Sequence, residues 1–316
     1  MTDTSPLNNT IVSACDNGYA IGVWLLIASI RKSGMRHPIL IGAYNWTDEW
    51  KSDILKFPDV TIADLPVTDK RSVTCSKPEI MLQAQTDVVT WIDCDGIVSG
   101  DMTDALQCPD GMINIRPKTV SEIQELYRKS RLPSENPDMI SSKVLNIWQK
   151  DVGGLESPRY NHGFGACLIG LSLPRNRGFL EKWREQMLKV LPEDVSLVHD
   201  GSVAYFQTDE SVLNSLMLFQ PDAPELKPHY TADLLDRPHY IHFGYNPKPW
   251  IMWNSYSLKH FDKVADIAEW AVKQGYAPHC PLPYTFKRSN KRLCSLLAPF
   301  SKPIAKFRKY KRKWFK

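Results

Sequence analysis

Val88-Val89-Thr90-Trp91-Ile92-Asp93-Cys94-Asp95-Gly96 is the stretch whose reading decides the fold. Residues 88–92 are apolar or β-branched, too short a run for a buried helix, and they end at once in a turn-forming Asp-Cys-Asp-Gly. A buried strand that delivers two carboxylates at its carboxyl end is the arrangement found where open α/β sheets bind ligands.

Working outward, Thr10 to Cys15 (TIVSAC) reads as a second buried strand, followed by turn and helix-start chemistry at Asp16-Asn17-Gly18-Tyr19 and a buried helix over Ile21 to Arg31. Pro38 to Ala43 and Val60 to Leu65 read as strands, with a helix over Trp50 to Phe57 between them. This alternation predicts a mostly parallel sheet with helices on both faces. Lys77 to Gln85 predicts a helix feeding the decisive strand, Cys167 to Leu171 a further apolar strand, and Phe179 to Val190 and Ser211 to Phe219 amphipathic helices. Thr119 to Ile147, polar and interrupted by Pro133 and Pro137, reads as an insertion, and residues 240–254 as an aromatic-rich loop.

Two carboxylates spaced as Asp-x-Asp can share one divalent cation whose other positions go to diphosphate oxygens and water. Asp93 and Asp95 are therefore candidate metal ligands, with Asp101 a weaker alternative on the next loop. His242, in YIHFGYNPKPW, where a short strand meets a glycine and two prolines, offers a further ligand, and Lys248, six residues on between two prolines, a compact cation for a phosphate. The bland readings are a solvated acidic turn, a packed histidine, a surface lysine and an aromatic core cluster of Phe243, Trp250 and Trp253.

Composition narrows the function classes. The 316 residues, 43% hydrophobic and 23% charged, suffice for a large core and argue against disorder throughout. The start MTDTSPLNN predicts no secretory signal, and Ile21 to Ile30 is too short to span a bilayer. Seven scattered cysteines form no CxxC pair, which suits free thiols in a reducing, cytoplasmic compartment. Residues 287–316 hold 12 of the 39 Lys and Arg residues and no acid, leaving 27 basic against 35 acidic residues elsewhere. An acidic body with a basic end argues against nucleic-acid binding by the body and for a basic anchor.

Five segments in order resemble the retaining GT-A glycosyltransferases of family 8, which include bacterial lipopolysaccharide galactosyl- and glucosyltransferases and glycogenin. They are IVSACDNGY at 11–19, VVTWIDCDGIVSGDM at 88–102, YNHGFGACLIG at 160–170, TDESVLN at 208–214 and HFGYNPKPW at 242–250. The resemblance implies a Rossmann-like mixed sheet flanked by helices, and Mn2+ (or Mg2+) held by Asp93, Asp95 and His242. It implies a nucleotide-sugar donor, a UDP-hexose, with Asp16, Asn17 and Tyr19 around base and ribose and Lys248 on the diphosphate. Asn161 falls where the family's Asn-x-Gly touches the donor sugar, Gly244 on the family's glycine, and Lys77 near a basic residue preceding the metal strand. Asp209 and Glu210 fall on the family's Asp-Gln pair near the reacting carbon. Several positions depart from the pattern: a glycine displaces Tyr19, His162 follows Asn161, Gly244 lies one place nearer His242, and Glu210 replaces a glutamine. A carboxylate there can serve as nucleophile or general base, so retention of configuration is implied by resemblance alone.

Leu293, Leu296, Leu297, Phe300, Ile304, Phe307 and Trp314 recur at helical spacing among basic residues, with Pro299 and Pro303 dividing the run into two short helices. Such a basic amphipathic segment suits an anionic membrane surface, against a disordered tail or an RNA-binding arm. Together these readings give a GT-A domain over 1–270 and a membrane-association segment over 271–316. The expected protein is a metal-dependent hexosyltransferase at the inner face of the membrane, acting on a glycan or glycolipid acceptor such as lipopolysaccharide or capsule. A sugar nucleotidyltransferase is the nearest rival, although CDNGYAIG lacks the basic glycine-rich loop it needs. A non-catalytic glycan- or partner-binding module is the other.

Overall fold

The computed structural model describes residues 8–69, 71, 73–119, 122, 136, 139–195, 203–227 and 239–304. Seven strands form one mixed sheet: β1 (Asn9–Asp16), β2 (Ile39–Tyr44), β3 (Val60–Asp64), β4 (Val88–Ile92), β6 (Met112–Pro117), β7 (Phe164–Ser172) and β8 (Glu225–Leu226). Their order is β3-β2-β1-β4-β7-β6-β8. The four strands β3, β2, β1 and β4 run parallel, as the alternation predicts. Beyond β4 the sheet changes character, because β7 lies antiparallel to both β4 and β6. The expectation of a mostly parallel sheet thus holds for one half of it.

Each sheet face buries its own core. Along β1, Ile11 and Cys15 belong to one cluster and Val12 and Ala14 to the other, the period of two that a pleated strand imposes. The first cluster takes in α1 (Ala20–Lys32), α2 (Asp48–Leu55), α7 (Phe261–Lys273) and α8 (Lys291–Leu297). The second takes in α3 (Ser76–Met81), α4 (Ser142–Val152), α5 (Leu173–Val190) and α6 (Asp209–Phe219). Because β1 and its neighbours are covered on both sides, they read in sequence as continuous apolar runs.

A separate pair of short strands shapes the site. β5 (Gly96–Val98) and β9 (Tyr240–His242) pair antiparallel with Gly96 opposite His242. Ser29 of α1 anchors β5, its Oγ accepting the Val98 N–H at 2.8 Å. At Gly96 a Cβ would lie 2.4 Å from the Tyr240 ring, and at Gly22 one would lie 2.8 Å from the Trp250 ring and 2.9 Å from the Cys94 carbonyl. Only glycine lets helix, loop and strand approach so closely.

The end of the described chain packs on the body. Cys294, Ala298 and Ser301 are buried, while Leu293, Leu296 and Phe300 are 47%, 71% and 60% exposed. Positions 294, 298 and 301 share one helical face, and 293, 296 and 300 the opposite one. Pro299 stands in a 3-10 turn (Ala298–Phe300) directly after α8. Most of the 119–147 insertion, together with Phe307 and Trp314, falls outside the described residues.

Candidate active site

The end of β4 sets the first two groups. Asp93 follows Ile92, donating its N–H to the Cys167 carbonyl of β7 at 2.9 Å, and Trp91 Nε1 donates to Asp93 Oδ1 at 2.6 Å. The spacer Cys94 engages Cys15 on β1 through its thiol, and Asp95 leads into β5. The β5–β9 register then places His242 beside Asp95, with Nε2 3.0 Å from Asp95 Oδ1 and 3.6 Å from Asp93 Oδ2. Tyr240 closes the arrangement by donating its hydroxyl to the Asp93 carbonyl at 2.9 Å. Among the described residues, Asp93, Asp95 and His242 form the group able to hold a metal ion, with ligand atoms all within 4.8 Å of one another.

Lys248 completes this side. Its ammonium lies 2.5 Å from Asp95 Oδ2 and donates to the Phe243 carbonyl at 2.8 Å, with the residue 5% exposed. Burial pushes Asp95 toward its neutral form, but the His242 hydrogen bond and the His242 and Lys248 charges prevail and hold its carboxyl down to about 2. Burial likewise disfavours a charged His242, yet its hydrogen bonds to Asp95 and Cys167, with the charges around them, push its imidazole up to about 11. Two carboxylates and one imidazole are a donor set suited to a hard or borderline divalent cation, which would take the place of that proton.

A second cluster faces Asp93 from α3, β6, β7 and α6. Lys77, nearly buried, sits 3.1 Å from Asp93 Oδ1 and 2.7 Å from Asp209 Oδ2, and donates to the Ala166 carbonyl at 2.9 Å. Burial would lower its pKa, but Asp209 and Asp93 raise it well above the usual lysine value, so it stays charged. One peptide away, Glu210 Oε2 accepts the Ala166 N–H at 2.8 Å, while Oε1 lies 2.5 Å from Lys118 Nζ. Asn214 fixes α6 to β7 by bonding both the N–H and the carbonyl of Phe164, at 2.6 and 3.0 Å. Asp209 and Glu210 open α6, where the helix dipole favours acids.

The remaining sequence candidates divide. Tyr19 packs edge-on against Trp250 at 5.4 Å, and burial with the nearby Asp95 charge pushes its hydroxyl up to about 12, so it borders the cluster. Asp16 caps the Gly18 N–H and Asn17 accepts from the Thr47 N–H, which places both at the carboxyl end of β1. Gly244 lies against the His242 ring. Asn161 bonds its neighbour His162 at 3.0 Å, a contact that does not join it to the acidic cluster. Asp101 caps the Thr103 N–H, a local turn.

Lys118 is the site residue that sequence reasoning missed. It follows β6, a strand with no clear sequence pattern, and the β6–β7 pairing brings it to Glu210; the one signal was the glutamate itself, a part-buried carboxylate suited to a cationic partner.

No family model matches the chain, and no curated protein is similar to it in sequence. Solved structures are similar in fold. The bifunctional glycosyltransferase WbbM, in its apo form, matches at a TM-score of 0.54 and 14% identity, over 84% of this chain and 50% of WbbM. The chain thus spans half the length of that protein. An active-site mutant of LgtC matches at 0.51 and 13% identity, over 84% of this chain and 95% of LgtC. A second LgtC structure, of the galactosyltransferase with donor and acceptor sugar analogs, matches at 0.45 and 14% identity over 86% of this chain and 97% of that one. The first two matches, with the seven-stranded mixed sheet between two helical layers, show that this chain has the GT-A glycosyltransferase fold.

Proposed function

We propose that this protein is a nucleotide-sugar-dependent glycosyltransferase that transfers a hexose, or a derivative of one, from a UDP-sugar to a glycan acceptor. The observation that carries the reading is the convergence of Asp93, Asp95 and His242 at the carboxyl end of β4, in a fold shared with WbbM and LgtC. Those three side chains would hold Mn2+ or Mg2+, which when bound neutralises charge on the departing diphosphate.

The chain's own residues supply the rest. Tyr19, with Asp16 and Asn17, receives the base and ribose; Lys248 and Gly244 hold the diphosphate; Asn161 and Lys77 border the donor sugar. As the bond from the anomeric carbon to the phosphate oxygen breaks, its electron pair leaves with the diphosphate and positive charge grows on the sugar ring. Glu210, paired with Lys118 and accepting the Ala166 N–H, offsets that charge, with Asp209 and Lys77 fixing the strand–helix junction beside it. The new bond then forms to the acceptor hydroxyl oxygen, whose proton passes to the departing diphosphate.

The acceptor in this reading is a lipid-linked or cell-surface glycan met at the inner face of a membrane. The GT-A domain is assigned to 1–270 and the membrane-association segment to 271–316. In support, Leu293, Leu296 and Phe300 turn one apolar face outward. Part of the basic charge serves the fold instead, since Arg288 pairs with Asp266 and Glu269, and Lys291 with Asp262, which fastens the segment to α7. Among the described residues no helix is long and apolar enough to cross a membrane.

Calorimetry with UDP, with and without Mn2+, tests the core of the reading. Binding that needs the metal and disappears in Asp95→Asn supports it, and no binding of either in the unaltered chain overturns it.

A further inference from the structure

Beyond the acidic cluster, the loop that leaves His242 carries an unusual surface feature. Tyr245 and Tyr256 are 51% and 53% exposed, yet they are not loosely placed. Their rings meet edge to face, with centroids 5.0 Å apart and planes at 69°, and Lys259 Nζ lies 5.0 Å from the centre of the Tyr256 ring. A single buried side chain ties the two loop segments together. Asn254, 5% exposed, donates to the carbonyls of Tyr245 and Pro247 at 3.5 and 3.1 Å, and its Oδ1 accepts from the N–H groups of Tyr256 and Ser257 at 3.0 and 2.9 Å. The same loop carries Gly244, against the His242 ring, and Lys248, paired with Asp95.

We infer that Tyr245 and Tyr256 form a carbohydrate platform that receives a pyranose ring of the acceptor beside the donor site; this rests on the glycosyltransferase reading. Exposed aromatic surface that is fixed rather than mobile marks a binding site more often than chance packing. The ring faces are electron-rich, whereas one face of a pyranose presents a patch of C–H bonds, so the two stack with favourable electrostatics as well as apolar burial. Two rings at 69° make an angled notch, and the Lys259 ammonium beside it supplies N–H donors for the hydroxyl groups at the sugar's rim. Pre-ordering by Asn254 lowers the entropy cost of binding. The outward Leu293, Leu296 and Phe300 differ in kind, being purely apolar and without polar tips, and they suit a bilayer instead.

Saturation-transfer NMR on the full chain, with the methyl glycosides of glucose, galactose and N-acetylglucosamine as probes and no donor present, tests the platform. At least one glycoside receives saturation from tyrosine ring protons in the unaltered chain. Tyr245→Ala and Tyr256→Ala each weaken its binding about tenfold, the loss expected when a stacked ring is removed from an exposed aromatic, while Tyr245→Phe and Tyr256→Phe retain it. Half-exposed positions tolerate both changes, and melting curves verify the fold. Saturation unaltered by the alanine variants overturns the platform, as does no saturation of any glycoside. Alanine variants that instead lose co-sedimentation with phosphatidylglycerol vesicles also overturn it and make the tyrosines lipid contacts. Donor hydrolysis in the unaltered chain separates the two readings: hydrolysis without glycoside binding sinks the platform alone, and glycoside binding without hydrolysis of any nucleotide-sugar sinks the donor reading alone.

Discussion

The two halves of the site handle the same charges in opposite ways. On the β4–β5–β9 side, Asp93, Asp95 and His242 point their ligand atoms at one another. On the β7–α6 side, Asp209 and Glu210 are adjacent in sequence, yet each meets its own lysine, Lys77 or Lys118, and their side chains do not converge. Asp93 and Asp95 also each meet a lysine, Lys77 and Lys248, so what sets the first half apart is the His242 imidazole facing both carboxylates, the place a cation takes in the proposed reading. In the proposed reading, cation capture and charge-offsetting at carbon fall to different halves, with Lys77 the link, since it touches Asp93 as well as Asp209.

The largest expected effect breaks the first half. Asp93→Asn and Asp95→Asn each lower transfer about a thousandfold or more, a loss of several kcal/mol, because each removes a charge from the cation site. Metal calorimetry should fall in parallel, and near-normal turnover at saturating donor and metal would sink the assignment.

Next comes the second half. Glu210→Gln and Lys118→Met each lower kcat by about a hundredfold with little change in donor KM, as expected for groups acting mainly in the transition state. Metal affinity stays as in the unaltered chain. The double variant is the sharper measurement: members of one ion pair should show a coupling of about 1 kcal/mol or more, and additive losses would mean that the two residues act separately.

A smaller effect probes the spacing that keeps the first half together. Gly22→Ala forces a methyl group against the Trp250 ring and the Cys94 carbonyl, costing about 1–3 kcal/mol of stability by overpacking. Because the carbonyl belongs to the residue between the two aspartates, metal affinity should drop with the melting temperature. Loss of stability alone would show that the strain is absorbed elsewhere.

The smallest effect lies outside both halves and serves as their control. His37 is fully buried, neither ring nitrogen has a hydrogen-bond partner among the described residues, and burial lowers its pKa to about 4. The unfolded chain takes up this proton near pH 6.5 and the folded chain only near pH 4, so the contribution of His37 to stability is constant above pH 6.5 and falls as pH drops through that window. Melting curves of His37→Gln should lose part of this slope, and an unchanged slope would place the titration elsewhere.

The parallel half of the sheet was legible in the sequence because strands covered on both faces appear as unbroken apolar runs, as at 10–15 and 88–92. Of the antiparallel half only β7 was, as the apolar run Cys167 to Leu171. β6, with its alternating Asn114 and Arg116, and the three-residue β5 carry too little periodicity to stand out, and β9, legible as a short strand before the glycine, has its pairing partner far away in sequence. Local spacing suggested Asp93, Asp95 and His242 as separate candidates. It could not suggest Lys118, whose role depends on β6 lying beside β7. The 179–190 helix was placed too late: it starts at Leu173, with Pro174 in its first turn, where proline's missing N–H costs nothing.

The pairing of Gly96 with His242 also orders events in time. Asp95 and His242 are 147 residues apart, so a growing chain exposes both aspartates long before the histidine exists. Until Tyr240–His242 has docked on Gly96–Val98, the two carboxylates lack the His242 imidazole, and Lys248 has not yet reached Asp95. In the proposed reading, cation binding thereby depends on the pairing of the last strand among the described residues, and a bound ion would in turn hold that pairing shut. The same short strand that completes the site acts as its latch.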